Sequence, residues 1–246
     1  MASDTNIAEE QWYDRTLLML GHESFAKMQN AHVVVVGVGG VGGYAAEMLV
    51  RSGVGKITII DSDNVSVTNI NRQLIACHET VGISKVELFK KRFLRINPDL
   101  EVNAEHCYLT SENITNFINE KVDFVIDAID TVGPKVSLIE FCIKNKVNII
   151  SSMGAGAKTD PTQLEIKDIS KTHHCPLAHM LRKRLHKVGV YKGFKAVFSP
   201  EPIREGAIII EEEQNKKSQV GTISYIPALF GIGCASVVIR DLIGEL

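Results

Sequence analysis

The stretch that most constrains this chain is HVVVVGVGGVGGYAAEMLVRSG, residues 32–53. Val33–Val36 is a β-branched run without polar alternation, as expected of a central parallel strand covered on both faces. It breaks directly into Gly37, Gly39 and Gly42, spaced G-x-G-x-x-G with Gly40 among them, then into a helix that opens on small residues and stops near Gly53. Glycine lets a backbone turn tightly and approach a phosphate, and a helix N-terminus offers unpaired N–H groups and a positive dipole end to an anion. The segment therefore reads as a nucleotide-phosphate cradle. The alternative is a tight turn with no ligand.

The rest of the chain repeats the alternation. RTLLMLGHESFAKMQ (15–29) predicts a helical segment interrupted at Gly21. KITIID (56–61) is a second buried strand, followed by a polar loop (62–81), a basic helix over about 84–96, a strand near LEVNAEHCY and a short helix after Ser111. DFVIDAID (123–130), a helix through PKVSLIEFCIKNK and a strand at VNIISS complete an α/β pattern that predicts a doubly wound, mostly parallel sheet. Beyond Gly154 the alternation loosens into TQLEIKDIS, a His/Cys/Arg-rich stretch, KAVFS, AIIIEEE and a C-terminal helix. With no internal repeat or low-complexity linker, the chain reads as one domain over 1–246. Its nucleotide-binding core spans about 30–156, and a C-terminal extension lobe of about 157–246 faces the substrate.

Composition excludes several classes. A formal net charge of -2 gives no global pull toward polyanions, so any nucleic-acid contact needs a local basic patch. Five scattered cysteines without a CxxC pair suit free thiols in a reducing compartment. MASDTNIAEEQW lacks the apolar core of a secretory signal. The longest apolar stretch, Tyr225 to Ile239, contains Pro227 and reads as too short to cross a bilayer. The expectation is a cytoplasmic protein with no membrane contact.

Asp61 ends the second strand about twenty residues after the glycines, where an acid can accept hydrogen bonds from ribose hydroxyls. To this point NAD and ATP are equally served. The loop DSDNVSVTNINRQL then brings Asp63, Asn69, Arg72 and Gln73 together, and Lys85 opens the next helix. Arg and Lys there can neutralise β and γ phosphates and stabilise charge moving onto a pyrophosphate leaving group, which a triphosphate needs and NAD does not. A solvated polar loop is the alternative. Asp127 and Asp130 flank the C-terminal end of the DFVIDAID strand, where open α/β sheets bind ligands. An aspartate there can hold Mg2+ against phosphates, or can cap the following helix.

Taken in order, GVGGVG, DSDNV-x-x-x-NINRQ, VGISK, RINP and DAID resemble the ubiquitin-activating superfamily over about residues 15–156. This superfamily includes the adenylating enzymes of molybdopterin and thiamine synthesis. The resemblance implies a Rossmann-like fold, ATP binding, attack of a substrate carboxylate on the α-phosphorus, and release of pyrophosphate with formation of an acyl adenylate. It places the ribose acid on Asp61, phosphate contacts on Asn69, Arg72, Gln73 and Lys85, and the Mg2+ aspartate on Asp130. A monovalent cation is left open. Arg15, in RTLLMLG, matches a residue that reaches into a partner subunit's ATP site, which implies a homodimer.

Farther along, SSMGAGAKTDPTQL, DISKT, PLAHMLRKRLHKVGV and FKAVFSPE look like the branch that dehydrates threonylcarbamoyladenosine in tRNA to its cyclic form. The absence of paired CxxC motifs argues against a structural zinc of the sulfur-carrier activators. Residues 171–195 hold seven Lys or Arg, four His and no acid, the local patch that tRNA binding requires; Arg182, Lys183, Arg184 and Lys187 are its candidate contacts. An exposed basic helix without RNA contact is the alternative. His173, His174, His179 and Cys175 crowd one short loop and rarely close a tetrahedral metal site. Cys234 reads as a small buried hydrophobe. Two other functions stay open: an activator of a ubiquitin-like sulfur-carrier protein, with a sulfur-relay or carrier partner, and a non-catalytic nucleotide module or NAD-dependent oxidoreductase.

Overall fold

A computed structural model describes residues 10–209 and 219–245. The valine run forms β1 (His32–Val36): Val33 and Val35 are buried on one face, Val34 and Val36 on the other. A strand buried on both sides needs cover on both sides, and the chain supplies it.

Before β1, α1 (Asp14–Asn30) is broken at Gly21, whose φ of 76° lies outside the helical region. After β1 come α2 (Gly42–Ser52), stopped by Gly53 in the left-handed conformation, β2 (Lys56–Ile60), α3 (Lys85–Ile96) and β3 (Glu101–Glu105). Then follow the short α4 (Ile114–Phe117), β4 (Phe124–Asp127), α5 (Val132–Lys144) and β5 (Asn148–Ser152). The chain continues through β6 (Glu165–Asp168), α6 (Pro176–Lys187), β7 (Lys195–Phe198), β8 (Ile208–Ile209), β9 (Gln219–Val220) and α7 (Tyr225–Leu242).

Seven strands form one sheet in the order β3-β2-β1-β4-β5-β7-β6, parallel except for β6 at the edge. Helices α2, α3 and α7 cover one face through Leu49, Phe89, Phe93 and Phe230. On the other face, α5 and α6 pack through Leu138, Ile139, Leu181 and Leu185. The buried Glu47 of α2 binds Arg92 of α3 and, at 2.8 Å, Arg51. Burial pushes its carboxyl up, but the hydrogen bonds from the two guanidinium groups outweigh this and hold it below the usual carboxylate range.

The residues beyond 157 share this framework, because β7 pairs with β5 and β6 with β7. β8 and β9 form a separate antiparallel ribbon; residues 210–213 of the AIIIEEE stretch lie outside the described residues. The C-terminal apolar stretch is a longer helix than its sequence suggests. α7 runs 18 residues to Leu242, long and apolar enough by length and composition to cross a membrane, and half of it is buried within the fold. It lies against the first turn of α2: a Cβ on Gly231 would sit 2.3 Å from the Val41 carbonyl oxygen.

Candidate nucleotide site

At the point where strand order reverses between β1 and β4, the C-terminal strand ends open into a cavity of about 360 Å³. Ligands of open α/β sheets bind in this position, and the volume is within the usual range for a ligand site.

The glycine turn forms one wall. Gly37 has φ +84°, a conformation that L side chains rarely adopt, and its N–H donates to the Ile60 carbonyl at 2.8 Å. A Cβ at Gly42 would lie 1.7 Å from the Gly37 carbonyl oxygen, so only glycine lets α2 start this close to β1. Gly39 and Gly40 line the cavity itself. Asp61 ties this turn to the next loop: Oδ2 accepts from Val38 N and Oδ1 from Asp63 N, both at 2.8 Å. Burial raises the Asp61 carboxyl above its ordinary range, against the opposing pull of Lys85 and of those two N–H groups.

The polar loop closes the opposite wall. Asn69 organises it: its Oδ1 accepts from Ser66 N at 3.1 Å, and its carbonyl accepts from Arg72 N at 3.1 Å and Gln73 N at 2.9 Å. Arg72 donates through Nη1 to the Thr68 carbonyl at 2.8 Å and to Asn71 Oδ1 at 3.1 Å, and lines the cavity. Lys85, 4% exposed, directs Nζ to Asp63 Oδ2 at 2.8 Å. Gln73 lines the cavity, while its Oε1 is turned away from solvent and has no hydrogen-bond partner among the described residues.

Asp130 stands on the cavity wall, in the turn after β4. Asp127 does not. It is fully buried, 2.9 Å from Lys135 Nζ, and accepts from Ser151 Oγ at 2.6 Å, so the expectation that it touches nucleotide is corrected. The strand pleat turns its side chain into the core, while Asp130 lies three residues on, past the strand. Arg15 is exposed on α1 and is not part of its own chain's cavity wall.

Of the proposed tRNA contacts on α6, Lys183, Arg184 and Lys187 are exposed. Arg182 is not a free surface cation: its guanidinium is half-buried and donates to the Thr172 hydroxyl and, at 2.9 Å, to the Thr172 carbonyl. Cys175 and Cys234 are buried in the core, Cys234 with its thiol pushed up to about 12 by burial. Among the described residues no group of three His, Cys, Asp or Glu is placed to hold a metal.

Several wall residues carry no motif. Cys107, Tyr108, Leu109, Thr131, Pro134, Thr222 and Pro227 come from distant parts of the chain, and Asn71 Nδ2 donates to the Thr222 carbonyl at 2.9 Å to bring the last of these in. Ala155 and Gly156 of the MGAGAK segment also line the cavity, while Met153 is buried as packing.

A glycine turn, a helix N-terminus and the cations Arg72 and Lys85, gathered where a doubly wound sheet changes direction, are the layout of a nucleotide-binding α/β protein. The ThiF family model matches residues 13–245, and the chain belongs to that family. The tRNA threonylcarbamoyladenosine dehydratase of Bacillus subtilis is 41% identical over 246 residues, 95% of each chain. The solved structure of Escherichia coli tRNA N6-threonylcarbamoyladenosine dehydratase in complex with ATP matches with a TM-score of 0.88 and 36% identity, covering 96% of this chain and 95% of that one. By contrast, the adenylyltransferase and sulfurtransferase MOCS3 of Culex quinquefasciatus, 36% identical, matches over 141 residues, 56% of this chain and 32% of its own.

Proposed function

We propose that this chain dehydrates threonylcarbamoyladenosine in tRNA, using ATP to adenylate the threonylcarbamoyl carboxylate. The observation that carries the reading is similarity to the dehydratases along nearly the whole chain, whereas the adenylyltransferase and sulfurtransferase match covers 56% of it. The cavity supplies the matching chemistry.

A carboxylate oxygen of the substrate attacks the α-phosphorus and pyrophosphate leaves. Arg72 and Lys85 place two cations on the wall where that leaving charge must be met. The glycine turn and the N-terminus of α2 offer backbone donors to the phosphates. Asp61, on the same cavity wall, is the candidate acceptor for a ribose hydroxyl. Where Mg2+ is bound, Asp130 would hold it, since Asp127 is committed to Lys135, and the cation would offset phosphate charge. The amide-side oxygen of the threonylcarbamoyl group then closes onto the activated carbonyl, and AMP leaves with the former carboxylate oxygen. The product is a cyclic oxazolone and the net change is loss of water. The attacking oxygen is tethered to its target, so the step runs at high effective molarity without a cysteine nucleophile.

The rest of the reading has Lys183, Arg184 and Lys187 on tRNA phosphates and Arg15 crossing to a second copy's ATP site in a homodimer. Five free cysteines favour the reducing cytoplasm. A sulfur-relay or carrier protein remains the alternative partner. Two measurements test the function. ATP–pyrophosphate exchange by the purified protein is expected to depend on modified tRNA and not on a protein ending in Gly-Gly. Mass spectrometry of anticodon-stem nucleosides from cells lacking the protein is expected to show the cyclic nucleoside gone. Its persistence there removes the proposal.

A further inference from the structure

The turn after β4 is held from beneath by charges that the adenylation chemistry leaves unused. Asp127 and Lys135 are both fully buried and paired at 2.9 Å. Taking two charges out of water is costly, and well-packed apolar side chains of similar volume serve stability as well or better, so stability alone does not account for an ion pair here.

The pair's hydrogen bonds converge on one residue. Asp127 Oδ1 accepts from Ile129 N at 3.1 Å, and Lys135 Nζ donates to the Ile129 carbonyl at 3.1 Å. Ser151 Oγ, from the neighbouring strand β5, fixes Asp127 Oδ2. Both backbone polar groups of Ile129 are thereby tied down, and Asp130 follows directly on the cavity wall.

The same turn abuts the phosphate cradle. Ala128 N donates to the Val36 carbonyl at 2.9 Å, and a Cβ at Gly37 would lie 2.8 Å from the Ala128 carbonyl oxygen. One at Gly42 would lie 3.1 Å from Ala128 Cβ. With so little clearance, any movement of residues 128–130 displaces Asp130 and presses on the glycine turn together.

We propose that Asp127 and Lys135 are positioning residues for adenylation, acting through Ile129 to set Asp130 and the glycine turn against the triphosphate. The role rests on the dehydratase reading of the cavity. An apolar double replacement, Asp127→Leu with Lys135→Met, removes both charges without stranding either one. It is expected to stay folded, with a melting temperature lowered modestly because Ile129 and Ser151 lose buried partners, and to raise the KM for ATP far less than it lowers kcat. Its kcat for tRNA-dependent pyrophosphate exchange is expected to fall about 100-fold, the loss that a misplacement of about 1 Å produces. Ser151→Ala, which removes only one bond to Asp127, is expected to lower kcat less, with KM unchanged. A folded double variant with wild-type kcat overturns the positioning role, as does a loss that appears wholly in KM. If the double variant does not fold, Ser151→Ala decides, and wild-type kcat there overturns the role. Wild-type protein without exchange overturns the dehydratase reading, and this inference with it.

Discussion

Gly42→Ala and Gly39→Ala separate the two tasks of the glycine turn. At position 42 the new methyl would sit 1.7 Å from the Gly37 carbonyl oxygen and 2.9 Å from its carbon, both backbone atoms. Reaching an ordinary contact of 3.4 Å requires that carbonyl, or the start of α2, to retreat by about 1.7 Å. Overpacking of this kind costs about 1–3 kcal/mol. For a chain of this size that lowers the melting temperature by about 2–12 °C. The same movement reshapes the phosphate cradle, so pyrophosphate exchange is expected to fall at least about 100-fold. At position 39 the methyl meets only Gln73, Nε2 at 3.5 Å and Cδ at 4.0 Å, both ordinary contacts, on a residue that lines the cavity. Gly39→Ala is therefore expected to melt within about 1 °C of wild type, since a surface change without a clash costs little. It is still expected to bind ATP more weakly, because a side chain stands where the backbone must approach phosphate. Scanning fluorimetry and titration calorimetry on both variants decide the matter. A Gly42→Ala protein that matches wild type in melting and in ATP affinity refutes the steric argument.

Lys85→Met is expected to lower pyrophosphate exchange by about 100–1,000-fold, the usual loss when one preorganised charge-stabilising donor is removed. It also removes the cation that best opposes the raised pKa of Asp61. A carboxyl raised by folding holds its proton longer in the native state, so stability falls as pH rises from the unfolded value through the folded one. The Met variant is therefore expected to lose more stability in urea melts near pH 7 than near pH 4, and equal losses refute the linkage. Charge reversal at Lys183, Arg184 or Lys187 is expected to reduce the salt dependence of tRNA binding by about 0.7–0.9 in log–log slope for each phosphate that is no longer neutralised. Arg182→Glu is expected to lower the melting temperature as well, because Thr172 loses its donor. A salt slope left unchanged by all three reversals refutes the tRNA assignment. Alkylation followed by mass spectrometry is expected to label Cys77 first, since it is exposed and its thiol is held low by the Thr80 hydrogen bond. Cys142 and Cys234, with thiols pushed up to about 12, are expected to react only after unfolding.

What could be read from the sequence was local. The valine run, the glycine turn and the Asn69–Gln73 loop each carry their geometry in a few adjacent residues, and the structure brings them together around one cavity. Side-chain direction was harder. Asp127 and Asp130 share the DAID segment, yet one is buried beside Lys135 and the other lines the cavity; that outcome depends on a lysine on the following helix. Arg182 and Lys183 are neighbours in a basic run, but the helix turns one toward Thr172 and the other to solvent. Tyr108, Thr222 and Pro227 reach the cavity through long-range packing, which no short motif reports.

The seat of α7 on α2 has a bearing on how the molecule is made. Pro227 stands on the cavity wall, 3.2 Å from where a Cβ on Gly40 would lie, and Gly231 presses on the Val41 carbonyl. Segments far apart along the chain thus meet at one ligand pocket. A nascent chain stalled before Pro227 can form the first strands, since folding proceeds from the N-terminus as the ribosome works, but it presents ATP with an unfinished wall. Nucleotide held in this pocket therefore stabilises the contact between two segments that lie far apart along the polypeptide.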